Sequence, residues 1–167
     1  HQPGPSSGAG HPSLSASFDT SSAVVIQASK VMPFPVEVAY ENFSDFSRHS
    51  EWNEAITRVE YIDSNRFEAR WTMASSGIKF GWSTQPTQIK PNKLLVWRSV
   101  KGLQLEGRAE FEDFGHGQCR MFYTLSYVVP RKVKNSLGPT RRESTQLKQM
   151  LEKFCEIVCQ EIENKKK

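Results

Sequence analysis

The sequence predicts an α+β domain, a curved antiparallel sheet wrapped around a long C-terminal α-helix, with two short helices after the first strand. Three observations predict it: an uninterrupted amphipathic run from Glu143 to Glu163, a long middle stretch where apolar and polar residues alternate, and short turn-forming segments between the alternating runs. In the C-terminal run, Leu147, Met150, Leu151, Phe154, Cys155, Val158 and Ile162 fall at the three/four spacing of one helical stripe. Lys148, Glu152, Glu156 and Gln160 take the opposite face. Thr140 and Glu143 read as a capping box, and Lys165 to Lys167 suit the negative end of the helix dipole. At about 1.5 Å per residue this helix spans roughly 30 Å, the width of a small domain. Fully burying about six of its side chains is worth roughly 10–18 kcal/mol gross, so the stripe needs an apolar surface to lie on.

Length and charge narrow the classes. A chain of 167 residues suits one domain with a sizeable core. A net charge of +4 implies no general attraction to nucleic acid. No apolar run approaches the roughly 20 residues that cross a bilayer, so a soluble or peripheral monomer is expected. Cys119, Cys155 and Cys159 form no disulfide framework and suit a reducing interior as small buried hydrophobes.

Residues 1–22 read as a disordered tail or a processed leader remnant, because Pro, Gly and seven serines cannot repay the entropy of ordering. A Ser-rich, acid-poor leader points to a plastid (chloroplast) or mitochondrion, although transit peptides are Arg-rich and this tail has neither Lys nor Arg. The folded domain is expected over residues 23–164. Ala23 to Met32 is rich in β-branched residues and reads as the first strand. Pro35 then opens a two-turn helix to Phe43, and Ser44 or Asp45 caps a second that ends near Trp52.

Beyond Val59 and Tyr61 the period is two. Phe67, Ala69, Trp71 and Met73 alternate with polar residues, as do Ile78, Phe80 and Trp82 after the Ser75–Ser76–Gly77 turn. Pro86 implies a bulge or an edge. Pro91–Asn92, Lys101–Gly102 and Gly115–His116–Gly117 separate Leu94 to Val100, Leu103 to Phe111 and Cys119 to Val129. Short turns between alternating strands make an antiparallel meander with one buried face. Its inward set is rich in rings, with the small residues Ala69, Gly107 and Ala109 among them. A curved sheet with small side chains at its centre is expected to leave volume for a ligand, unless the rings are plain packing.

The run Pro33–Phe34–Pro35–Val36–Glu37–Val38–Ala39–Tyr40–Glu41–Asn42–Phe43, followed by Ser44–Asp45–Phe46 and Glu51–Trp52–Asn53, resembles the opening of the START-like (SRPBCC) superfamily. More narrowly it is similar to the polyketide cyclase/dehydrase, lipid-transport and coenzyme-Q-binding branch. The later stretch Ile89 to Ser99, with Gly102, matches as well. One departure is Ser50, behind His49, where that branch has a proline before Glu-Trp. The resemblance covers about Ala23 to Ile162. It implies a helix-grip fold whose cavity, between sheet and final helix, carries a hydrophobic molecule and sometimes catalyses. The lining is then expected from Tyr40, Phe43, Trp52, Trp71, Trp82 and Trp97, with Leu105, Tyr123, Tyr127, Met150 and Phe154.

Chemistry beyond binding has thin support. Asp45, His49, Glu51 and Glu54 crowd one segment and could form an acid/base set, but a helix cap with solvated charges explains them more simply. Arg98, Tyr123, Thr124 and Tyr127 are the candidate polar groups for the cavity, Arg98 alternatively facing solvent. His116, in its Gly-flanked turn, is expected to be exposed. No His pairs with Cys at metal-ligand spacing, and there is no phosphate loop or nucleophile elbow, so no cofactor or metal is expected. Arg131, Lys132, Lys134, Arg141 and Arg142 put five positive charges before the last helix, a candidate dock for anionic lipid headgroups or a protein complex. The reading is a carrier of a lipid, isoprenoid or polyketide-like molecule. The alternatives are a cyclase or dehydratase, which needs ionisable groups inside, and a docking module, which predicts a filled core.

Overall fold

In the computed structural model, residues 23–75, 77–129 and 140–167 are described; the tail, Ser76 and the loop holding Arg131, Lys132 and Lys134 lie outside them. The leader reading and most of the basic dock therefore fall outside the described residues. So do the side chains of Thr140, Arg141, Arg142 and Glu143, and the capping box with them.

The β-branched run forms strand β1 (Ala23–Met32). Pro35, whose fixed φ suits a helix start, precedes α1 (Val36–Phe43). Asp45 caps a 3-10 turn (Phe46–Arg48) by accepting the Ser47 N–H, and α2 (His49–Trp52) follows at once. Six strands complete the sheet: β2 (Ile56–Tyr61), β3 (Ala69–Ser75), β4 (Ile78–Lys90), β5 (Leu94–Gly102), β6 (Leu105–Gly115) and β7 (Gln118–Val128). Helix α3 (Thr140–Lys165) closes the chain. The order across the sheet is β1-β7-β6-β5-β4-β3-β2, every pair antiparallel. Strand β1 thus pairs back onto β7 over its whole length, Ala23 opposite Val128 and Met32 opposite Cys119. This is the helix-grip architecture.

Alternation along each strand sends one set of side chains toward α3. Ile26, Leu95, Trp97, Leu105, Ala109, Phe111, Met121 and Tyr123 join Leu147, Met150, Leu151, Phe154 and Val158 of α3 in one core. The helical stripe is therefore buried as its spacing predicts. Pro86 sits at a register shift between β4 and β5, a bulge, and lies beyond Thr84, where the pairing of β4 with β3 ends. Gly115, His116 and Gly117 all have positive φ, and His116 is exposed.

Three expectations fail. Phe67 does not face inward: it precedes β3, is 45% exposed, and its N–H is held by the Asp63 carboxylate in the turn. Gly107 leaves no space, because the Trp97 indole lies flat over it; a Cβ there would fall 2.2 Å from two indole carbons. His49 is not a solvated group beside a cap. It is 1% exposed, walled by rings.

Candidate functional site

The sheet–helix interior has two halves, toward opposite ends of the strands. The half toward the β6–β7 turn is filled by rings. Phe43 stands at its centre, 4.5 Å from the His49 ring, 5.3 Å from Phe154 and 5.4 Å from Tyr123. Trp52 lies near-parallel to it at 6.3 Å and meets Phe154 edge-on at 4.8 Å. Phe34 and Phe111 complete the wall, with half-buried Tyr40 against Phe111.

The second half lies toward the β3–β4 and β5–β6 turns, where β7 ends and β1 begins. Here Val24, Met73, Leu103, Leu125 and Tyr127 pack on the core yet stay only half buried. Register fixes the direction of the strand residues: Val24 and Leu105 both pair with Tyr127, Leu125 is two residues before Tyr127, and Met73 shares a face with Trp71; Leu103, in the β5–β6 turn, packs on the core from there. Inward apolar side chains are less completely covered here than in the ring-filled half. Trp71 and Trp82 stack behind this rim, 5.9 Å apart and 9° from parallel. Trp71 Nε1 donates to the Thr84 hydroxyl at 2.8 Å. Trp82 Nε1, equally buried, has no partner among the described residues, and neither has Trp52 Nε1 in the ring-filled half.

All eleven predicted ligand residues belong to this single interior. Nine are buried, while Tyr40 and Tyr127 are half buried against it. Of the four candidate polar groups, only the two tyrosines point inward. Arg98 and Thr124 sit on the outer face, one residue out of phase with Trp97 and Tyr123. Burial pushes the Tyr123 hydroxyl far up, so it stays protonated.

The four-residue acid/base set is dispersed. Asp45 accepts from the Ser47 N–H and hydroxyl and pairs with Arg66 at 2.7 Å. Burial would raise its carboxyl, but those bonds outweigh it and hold the pKa below the usual range. Glu51 pairs with Arg48, and Glu54 is exposed. His49 Nε2 lies 2.7 Å from the Phe43 carbonyl oxygen, to which it donates. Burial pushes His49 down to about 4, so at neutral pH it is an uncharged core residue with its donor spent. Sequence reasoning missed this burial. The only signal was Phe43, Phe46 and Trp52, rings spaced closely around one histidine.

A separate hollow of about 580 Å³ lies on the sheet's outer face, lined by Gln27, Ser29, Glu106, Arg108, Phe122 and Thr124 among others. These are the outward side chains of β1, β6 and β7, so this groove is distinct from the interior. Its lining is charged and half open to water, unlike the apolar rim at Trp82. Among the described residues no group of His, Cys, Asp and Glu is placed to hold a metal ion. No described helix is long and apolar enough to cross a membrane.

The family model for polyketide cyclase / dehydrase and lipid transport matches residues 32–161. The chain belongs to this family. No curated protein matches it. Among solved structures, a Deinococcus radiodurans protein is similar over 79% of this chain and 95% of its own, at 22% identity and a TM-score of 0.63. A START superfamily protein from Mycobacterium smegmatis covers 84% and 98%, at 14% identity and 0.62. The Zhui aromatase/cyclase from Streptomyces sp. R1128 covers 87% and 96%, at 12% identity and 0.60. At these identities the likeness is one of fold. It places the family's sheet and closing helix on β1–β7 and α3.

Proposed function

We propose that this family member binds and carries a small hydrophobic molecule, of lipid, isoprenoid or polyketide-like character, in the half of its interior that opens beside Trp82. The observation that carries the reading is the rim: Val24, Met73, Leu103, Leu125 and Tyr127 face inward and remain half exposed. Isolated exposed apolar residues mean little, but a ring of them around a buried indole pair is what an apolar ligand would cover. A catalyst is less well supported. The interior histidine has given its N–H to a backbone carbonyl and is walled off by rings, Trp71 among them.

The test is a titration with an uncharged, environment-sensitive apolar dye such as Nile red, in the wild-type chain and in Leu125→Arg. A charge at the rim must be desolvated whenever a ligand covers it, so affinity is expected to fall about tenfold or more. Circular dichroism should show an unchanged fold, since Leu125 is only half buried. No saturable binding by the wild type, or equal binding by both, would sink the proposal.

A further inference from the structure

Helix α3 carries two of the three cysteines, Cys155 and Cys159, one turn apart on the flank of its buried stripe. Both are half-buried against the core, whereas Cys119 on β7 is fully covered, opposite Met32 of β1. All three are free thiols. The Cys155 and Cys159 sulfurs lie 4.0 Å apart, about twice the length of a disulfide bond. That spacing suits a shared cation. Metal–sulfur bonds of about 2.3 Å span a 4.0 Å pair at an S–M–S angle of about 120°. Burial, and then the neighbouring Cys159 thiol, push Cys155 up to about 11, so it rests protonated and slow toward peroxide, which argues against a redox switch.

The chemistry of the pair narrows the cation. A structural Zn²⁺ takes four ligands, and among the described residues no third His, Cys, Asp or Glu joins the two sulfurs. Calcium and magnesium ask for oxygen. Soft thiolates select Cu(I), an ion satisfied by few ligands. We propose that Cys155 and Cys159 together bind Cu(I), each sulfur supplying one bond. As the two copper–sulfur bonds form, two S–H protons leave for solvent. The copper stays monovalent, so no oxidant or reductant is consumed. The bis-thiolate complex carries one negative charge. Lys30 of β1, whose field reaches Cys155, offsets it, and Glu156 opposes it. The half-exposed pair is open to a copper donor on its solvent side, as the covered Cys119 is not. The proposal is independent of the carrier reading, since neither sulfur belongs to the rim or to the ring cluster.

The experiment titrates the reduced full chain, under nitrogen, with Cu(I) held by bicinchoninate. The wild type is expected to take one Cu(I) per chain, and native mass spectrometry should show a metallated monomer. X-ray absorption should place sulfur neighbours on the copper. Cys155→Ser and Cys159→Ser should each lose more than the about 10–100-fold in affinity that changes beyond the ligands themselves cost. Cys119→Ser should bind as the wild type does. Circular dichroism checks the fold of each variant, and alanine replaces serine wherever the fold is lost. No uptake by the wild type would overturn the proposal, as would uptake unchanged by losing either α3 thiol. A loss in Cys119→Ser as large as in the α3 variants would overturn it too. One copper bridging two chains would mean an adventitious surface thiol, and would refute it as well.

Discussion

Around Phe43, on α1, six rings lie within 6.4 Å, from α2, β5, β6, β7 and α3. Around Trp82 the inward residues are as apolar, yet they contact one ring, Trp71, and five of their companions stay half exposed. The two regions share the same strands and the same helix. What separates them is the short helical segment between β1 and β2. It delivers Phe43, Phe46, His49 and Trp52 into the ring-filled half, Phe46 and His49 reaching as far as Trp71, with no ring contact from the four to Trp82 among the described residues. A filled half gives stability, and the less covered half is the one proposed above to bind a ligand. Truncating side chains in the two halves should therefore have different consequences.

The largest effect is expected from Phe154→Ala. Phe154 is fully buried and touches Phe34, Phe43 and Trp52, so its removal opens a cavity that three rings cannot collapse into. The expected cost is about 3–5 kcal/mol of unfolding free energy, read from urea denaturation. Leu103→Ala, at the open rim, should cost well under half of that, since its side chain already meets water. Equal costs would mean that the two halves are packed alike, and the comparison would fail.

The filled half was the harder one to read from sequence. The stripe Leu147–Met150–Leu151–Phe154–Val158 announces a buried helix face by spacing alone, and the period-two set places Trp71, Trp82 and Tyr123 inward. The same period puts Arg98 and Thr124 outside, because Trp97 and Tyr123 beside them point in; that signal was available. His49 gave no such signal. It lies between a single 3-10 turn and a one-turn helix, too short for periodicity, with Arg48, Ser50 and Glu51 as polar neighbours. Gly107 shows a different limit. Alternation assigns it inward, but whether the space above it is empty depends on Trp97 being opposite it, a pairing that only the sheet register supplies. Phe67 continued the period of β3 by accident: Arg66 is in the left-handed region at φ 57°, and the turn ends before the strand begins.

His49 supplies the next prediction. In the unfolded chain its imidazole titrates near its ordinary 6.5, whereas burial in the folded chain pushes it down to about 4. Below 6.5 the unfolded state therefore binds the extra proton, and acid favours unfolding. Its contribution is whole above pH 6.5, is lost as the pH falls toward 4, and levels off below; the loss is about 3 kcal/mol. The nearby charges are Asp45, which would raise the pKa, and Arg48, which adds to the depression; neither matches the effect of burial. Denaturation midpoints between pH 4 and 7 should slope steeply in the wild type and flatten in His49→Gln. An unchanged slope in that variant would show that the histidine is already solvated and the filled half looser than its ring contacts describe.

The smallest effect concerns the clasp over the filled half. Arg48 holds Glu51 at 2.9 Å and Glu161, on the last turns of α3, at 2.7 Å, with its Nη1 on the Asn42 amide oxygen. Its guanidinium also covers the Trp52 ring at 5.3 Å. The arrangement looks like a fastening between α3 and the segment that delivers the rings. Its strength is nevertheless limited, because the Glu161 side chain is 43% exposed, and water and salt screen such a pair. Glu161→Gln is expected to cost less than about 1 kcal/mol, a difference that shrinks further at molar salt. A larger, salt-insensitive loss would mean that α3 is held at this end by charge and not by the aromatic contacts of Phe154, reversing the order of effects that the ring cluster predicts.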